Sequence, residues 1–167
     1  MNSKEDLLAL IDDQLDFLKS LHLGGSLAPL AAAMDLNGKI SGVAFTSKDP
    51  AVNSISVEGA IRSFQEKFRS DASKGELLAC AIFYHGCHGP DEVSLNVAPA
   101  QQISDADCIV ALLDHRVGQA IACVIRYSLG ADDGWRYAPA YYAPKQPDIF
   151  VESNSRPQST ERDVRPD

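Results

Sequence analysis

The chain has 167 residues, 45% of them hydrophobic, enough for one domain with a sizeable core. Asp and Glu outnumber Lys and Arg 23 to 15, a formal charge of −8, which argues against a nucleic-acid-binding or anionic-membrane surface. No apolar run approaches the roughly 20 residues that span a bilayer, and an acidic, amphipathic N-terminus is unlike a secretory signal.

The first amphipathic stretch places Leu7, Leu8, Ile11, Leu15 and Leu18 at helical spacing, flanked by Leu10, Phe17 and Leu21. Ser3 is the expected cap, Glu5 and Asp6 sit at the positive end of the dipole, and Gly24-Gly25 ends the helix. Residues 27–46 follow as two apolar runs around Asn37-Gly38, the strongest short hairpin signal. A two-residue loop would set Leu36 opposite Lys39, with positive φ at both Asn37 and Gly38. Leu30, Ala32, Met34, Val43 and Phe45 would then share a bulky face, and Ala31, Ala33, Gly42 and Ala44 a small one. Both faces are apolar, so both are expected to be covered.

A second helix starts between Ser54 and Ser56, buries Val57, Ala60, Ile61, Phe64 and Phe68, and closes at Gly75. Gly59 inside it suggests close packing. Residues 76–85 are apolar on both faces, the pattern of a central strand. Residues 86–107 read as irregular, with a short strand possible over Val93, Leu95 and Val97. Residues 108–115 and 119–127 read as a hairpin turning at Val117-Gly118, and residues 130–134 as another turn. Residues 135–142 form a last strand, which Pro139 makes an edge. Residues 1–151 are expected to be one domain, and the polar residues 152–167 a disordered tail.

The order is therefore α-β-β-α-β-(β)-β-β-β, with tight turns joining most strands. This predicts an α+β two-layer sandwich: a mainly antiparallel sheet of five to six strands with two helices on one face.

An Asp35-Leu36-Asn37-Gly38 turn, an Ala-rich strand and the hairpin DCIVALLDHRVGQAIACVIRY resemble, over residues 5–143, a group of small uncharacterised bacterial α+β proteins. More distantly, the element order is similar to roadblock and profilin-like regulatory domains, which usually lack the insertion at 86–107. The group carries no established catalytic residues, so the resemblance transfers no site to this chain.

Common nucleotide, hydrolase and zinc motifs (GxGxxG, GxxxxGK, GxSxG, HExxH, CxxC) are absent. The densest chemical cluster is His85-Gly86-Cys87-His88. His85 and Cys87 would project to one side of an extended chain, and His115 would add a ligand from a neighbouring strand. The cluster would serve as a metal site, or as a nucleophile if a histidine lowers the Cys87 pKa. The plainer reading is a strand exit with an incidental thiol. Cys80, Cys87, Cys108 and Cys123 read as thiols of a reducing cytoplasm. In the expected register Cys108 and Cys123 share a face about 13 Å apart along the strands, too far for a disulfide. Asp114, His115 and Arg116 resemble an acid–base group but read more simply as a solvated turn.

The remaining candidates are Trp135, Arg136, Tyr137, Tyr141 and Tyr142, since Trp, Tyr and Arg anchor interfaces. At period two, Trp135, Tyr137 and Tyr141 would cover the core while Arg136 and Tyr142 face outward. The reading is a non-catalytic cytoplasmic protein that binds a protein partner or itself along this edge, continuing to Phe150, with no cofactor, nucleic acid or membrane. The alternatives are a thiol or metal enzyme centred on Cys87 with His85 and His88, and a small-ligand pocket between sheet and helices.

Overall fold

Asn2 begins the first helix, α1 (Ser3–Leu23). Its Oδ1 accepts from Lys4 N at 3.2 Å, while its own N–H reaches Glu5 Oε2 at 3.3 Å. Two donors of the first turn are thus satisfied reciprocally. Ser3, the expected cap, is instead the first helical residue, and its hydroxyl bonds the Gln119 side chain. The structure, a computed structural model, describes residues 2–23, 29–44, 56–88 and 106–151. The expected short strand over Val93–Val97 and the tail at 152–167 lie outside the described residues.

The strands are β1 (Leu30–Asp35), β2 (Ile40–Ala44), β3 (Leu77–His88), β4 (Ala106–His115), β5 (Ala120–Leu129), β6 (Trp135–Tyr137) and β7 (Tyr141–Pro144). α2 (Val57–Ser73) connects β2 to β3. All pairings are antiparallel, in the order β2-β1-β3-β4-β5-β6, with β7 also on β5. The α+β class and the antiparallel sheet stand as expected. The sheet has seven strands rather than five to six, because residues 135–142 form two strands.

Both major hairpins differ from expectation by one residue, for one reason. Asp35 N donates to Lys39 O at 3.0 Å and Gly38 N to Asp35 O at 3.0 Å, closing a three-residue loop. His115 and Gln119 close the same loop, with His115 N to Gln119 O at 2.8 Å and Gly118 N to His115 O at 2.9 Å. In each loop the last residue takes the positive φ, Gly38 at 80° and Gly118 at 84°, while Asn37 does not. The first residue's side chain stabilises the turn. Asp35 Oδ1 accepts from Lys39 N at 3.0 Å and Asn37 N at 2.8 Å, which holds the carboxyl below its usual range. His115 Nδ1 accepts from Val117 N at 3.2 Å.

A one-residue slip turns a strand over. Met34 therefore pairs with Ile40, and Val43 packs with Ala31 rather than with Leu30. Cys108 pairs with Arg126 and Cys123 with Ala111. The two thiols thus lie on opposite faces of the sheet, not on one.

The helices also lie on opposite faces, making three layers instead of two. Leu7, Leu10, Ile11 and Leu18 of α1 pack on Ala32, Met34, Ala81, Phe83, Ile109 and Leu113. Ala60, Phe64 and Phe68 of α2 pack on Ala31, Cys80 and Ile82, the alternate residues. A central strand apolar on both sides needs both covered, and β1 has Ala31, Ala32 and Met34 all at 0% exposure. Only β1 obeys the expectation of a hairpin covered on both faces, since β2 is largely exposed. Gly59 needs no close-packing explanation: it lies in the first turn of α2 and donates to Ser56 Oγ at 3.0 Å. Val57 is 42% exposed, outside the stripe expected to bury it.

α1 touches both margins of the sheet. A Cβ at Gly42 of β2 would lie 3.8 Å from Gln14 Oε1, and Lys19 Nζ lies 5.2 Å from the Tyr137 ring centroid on β6. The helix thus lies across the breadth of one face of the sheet, with α2 on the other.

Candidate functional site

The expected edge strand is an edge, in two pieces. Ala138 N donates to Arg126 O at 2.8 Å, and Lys145 N to Ala120 O at 3.1 Å. Tyr137 faces Tyr127, but Tyr141 faces Val124 and Tyr142 faces Cys123. One extra residue is accommodated around Pro139, a bulge that reverses the alternation. Trp135, Tyr137 and Tyr142 consequently share the α1 side, while Arg136 and Tyr141 face the other. The simple period-two reading, with Tyr141 beside Trp135 and Tyr137, does not survive the bulge.

Trp135 and Tyr137 belong to the core. Their rings lie 5.4 Å and 6.1 Å from that of Tyr127, the first edge-on at 89°. Burial raises the Tyr137 hydroxyl above its usual range. Tyr141 and Tyr142 are 42% and 44% exposed. Desolvation, followed by the nearby Cys123 and Asp12, raises the Tyr142 hydroxyl too, and burial pushes the Cys123 thiol up to about 11. Arg136 is exposed and bonds Asp132 across the preceding turn at 2.8 Å. Such a pair is worth little in stability but holds the guanidinium in place.

The backbone of this edge is partly closed. The two interstrand bonds set the ladder's alternation, so Trp135, Tyr137, Tyr142 and Pro144 turn their main chain outward. Pro144 has no N–H to offer there, and neither has Pro139 in the bulge. Prolines at outward positions are a usual defence of a sheet edge.

The segment after β7 is anchored on the α2 side. Asp114, 3% exposed, accepts Lys145 Nζ at 2.7 Å through Oδ1, and Asp148 N and Ile149 N at 3.0 Å through Oδ2. Arg69 Nε adds a bond to Asp148 O at 3.0 Å. Ile149 is buried against α2 with Phe150 beside it, so the aromatic edge does not continue to Phe150.

His115, next in sequence to Asp114, points through the opposite face. Its Nδ1 accepts the Val117 amide, so Nε2 carries the proton and donates to Asp6 Oδ2 at 3.1 Å. Both residues are buried, at 3% and 2% exposure. The turn expected to be solvated thus holds two buried polar pairs. They fasten α1 to the sheet on one side and the C-terminal segment on the other.

β3 does not become irregular at Gly86 but pairs with β4 through His88. A Cβ at Gly86 would meet Val110 Cγ2 at 3.1 Å, and the Gly86 carbonyl accepts the Cys108 thiol at 3.3 Å. His85 faces the α1 side, its ring 5.9 Å from that of Tyr127. Cys87 and His88 pair through their backbones with Asp107 and Ala106, and their side chains lie outside the described residues. His115 is opposite Ala79, six residues back along β3 from His85, or about 20 Å. The four-residue set His85, Cys87, His88 and His115 is therefore not brought together. Among the described residues no three His, Cys, Asp or Glu side chains are placed to share a metal ion. The free thiols of Cys80, Cys108 and Cys123 are buried, and desolvation raises that of Cys80 far above its usual range.

A cleft of about 210 Å³ opens between the β1–β2 hairpin and α2, with Lys39, Ser41, Lys67, Asp71 and Glu76 among its lining residues. It is smaller than the roughly 300–1,000 Å³ usual for ligand pockets. No helix among the described residues is long and apolar enough to cross a membrane.

The chain matches no family model, no curated protein and no solved structure.

Proposed function

We propose that this is a non-catalytic protein-binding domain of a reducing cytoplasm, which docks a protein partner through side chains of the β6–β7 edge. One observation carries the reading. Arg136, Tyr141 and Tyr142 stand exposed along one edge, Arg136 and Tyr141 on one face and Tyr142 on the other, where Pro139 and Pro144 discourage backbone pairing. Tyr and Arg are the side chains that most often anchor interfaces, and Trp135 and Tyr137 pack β6 onto the core and hold the edge in place. A partner would read this edge by its side chains and not extend the sheet. The buried free thiols fit a reducing compartment.

A photoreactive residue at Tyr142, in the full chain expressed in its own host, tests this. The reading predicts a defined protein adduct at 142 and none from Val117, which is 68% exposed at a turn tip. Arg136→Asp in the same chain should lower the yield about tenfold, equivalent to about 1.4 kcal/mol. No adduct at 142, or equal adducts at both positions, contradicts the reading.

A further inference from the structure

The other edge of the sheet is built differently. β2 is terminal in the strand order, and of its five residues Ser41, Gly42 and Ala44 are exposed. It has no proline, no bulge against β1 and no charged side chain. The Asp35 N to Lys39 O bond makes that a hydrogen-bonded pair, and such pairs alternate along an antiparallel ladder. Ser41 and Val43 therefore bond inward to β1. Ile40, Gly42 and Ala44 turn their N–H and C=O groups outward, a row of donors and acceptors that another strand can complete.

We infer that β2 pairs antiparallel with β2 of a second copy of this chain, about a twofold axis at Gly42, joining two sheets into one. The occupant follows from the strand's match to itself. With Gly42 on the axis, Ile40 of one copy faces Ala44 of the other on the α1 side, and Ser41 faces Val43 on the α2 side. No charge meets a like charge along the strand, and every outward amide finds a carbonyl. Glycine fits the crowded centre, where side chains of two copies would otherwise meet. Among the described residues, the one atom within 4 Å of a Cβ placed there is Gln14 Oε1, at 3.8 Å. A twofold pairing of this kind closes on itself, because each copy has one such edge among the described residues and the β6–β7 edge carries two prolines. The inference stands apart from partner docking at β6–β7, and either can fail without the other.

Sedimentation of the full chain tests it, from low concentration up to about 100 μM, a range that spans weak and firm self-association. The expected result is a reversible monomer–dimer equilibrium. Gly42→Lys, which sets two like charges on the axis, should weaken it about 100-fold or more with the circular dichroism and melting profile of the monomer retained. Gly42→Cys keeps the test sharp if the lysine variant folds poorly. Cα atoms of a hydrogen-bonded pair lie about 5.5 Å apart, within disulfide range. Mild oxidation should therefore link that variant into dimers and leave the wild type unlinked. A monomer throughout the range overturns the inference. So does a dimer indifferent to Gly42→Lys and not linked by Gly42→Cys, or a ladder of larger species, which would mean unlike edges pairing.

Discussion

The two edges of this sheet teach opposite lessons about how a strand ends a fold. β6–β7 is broken by a bulge, carries two prolines and is tied down by the Asp114–Lys145 cluster just beyond it. Its exposed character lies in the side chains of Arg136, Tyr141 and Tyr142. β2 is short, unbroken and made of small or apolar residues, so its exposed character lies in its backbone. A sheet edge must be blocked or used. Among the described residues the first edge is blocked against strand addition and offers side chains, whereas the second has no strand beside it. The two proposed contacts, one heterologous and one between copies, rest on that difference.

The largest expected effect comes from loosening the first edge. Asp114→Ala removes a buried carboxylate and leaves the Asp148 and Ile149 amides without their acceptor. It should cost about 3–5 kcal/mol in urea unfolding and release the segment after β7 to limited proteolysis, with β2 unaffected in the folded fraction. A loss below about 1 kcal/mol would mean that the cluster does not hold the edge.

Alkaline pH should act on the same edge next. Burial holds the Cys123 thiol up to about 11 from an ordinary 9.0, and the Tyr142 hydroxyl opposite it is raised too. A group whose folded pKa is raised contributes stability that is complete below its unfolded pKa and lost as pH climbs through the folded one. Stability should therefore fall by about 2–3 kcal/mol between pH 9 and 11 through Cys123, with Cys80 adding in the same direction. Residues 40–44 carry no titratable side chain, so β2 should not respond directly. Urea midpoints across that window should fall less steeply for Cys123→Ala, and an unchanged slope would refute the attribution.

A smaller effect sharpens the account of the open edge. Gly38 carries the positive φ of the loop that sets the β2 register. Gly38→Val should cost about 1–3 kcal/mol, while Asn37→Ala should stay within about 0.5 kcal/mol. Equal losses at the two positions would restore the two-residue loop that the Asp35–Lys39 bond excludes.

The elements and their order were legible because helical and alternating periodicities are long and strong here. Loop length was not. Asn37-Gly38 and Val117-Gly118 look like two-residue turns, yet each loop includes one residue more. The available signal was the acceptor side chain before each turn, Asp35 and His115, with glycine at the third loop position. That single residue parts Val43 from Leu30 and Cys108 from Cys123, putting each pair on opposite faces. The opposed helices were also foreshadowed, because Ala31 and Ala33 back a bulky face on β1 and β3 is apolar throughout. Two helices on one side would have left those residues bare.

The candidate site was legible in its residues and not in its facing. Pro139 marks an edge in sequence, but only the ladder bonds show the bulge that separates Tyr141 from Trp135. Asp6 and His115 lie 109 positions apart, and Asp114 and Lys145 lie 31 apart. Nothing local in the sequence marks them as partners, which is why the turn at 114–116 reads as solvated.

Amide hydrogen exchange at both edges of the same full-length sample tests the division of roles most directly. As concentration rises, the account predicts slower exchange at Ile40, Gly42 and Ala44, the outward amides of β2. The outward amides of Trp135, Tyr137 and Tyr142 should exchange at a constant rate. Protection that grows at β6–β7 while β2 stays unchanged would contradict the account, and so would no change at either edge.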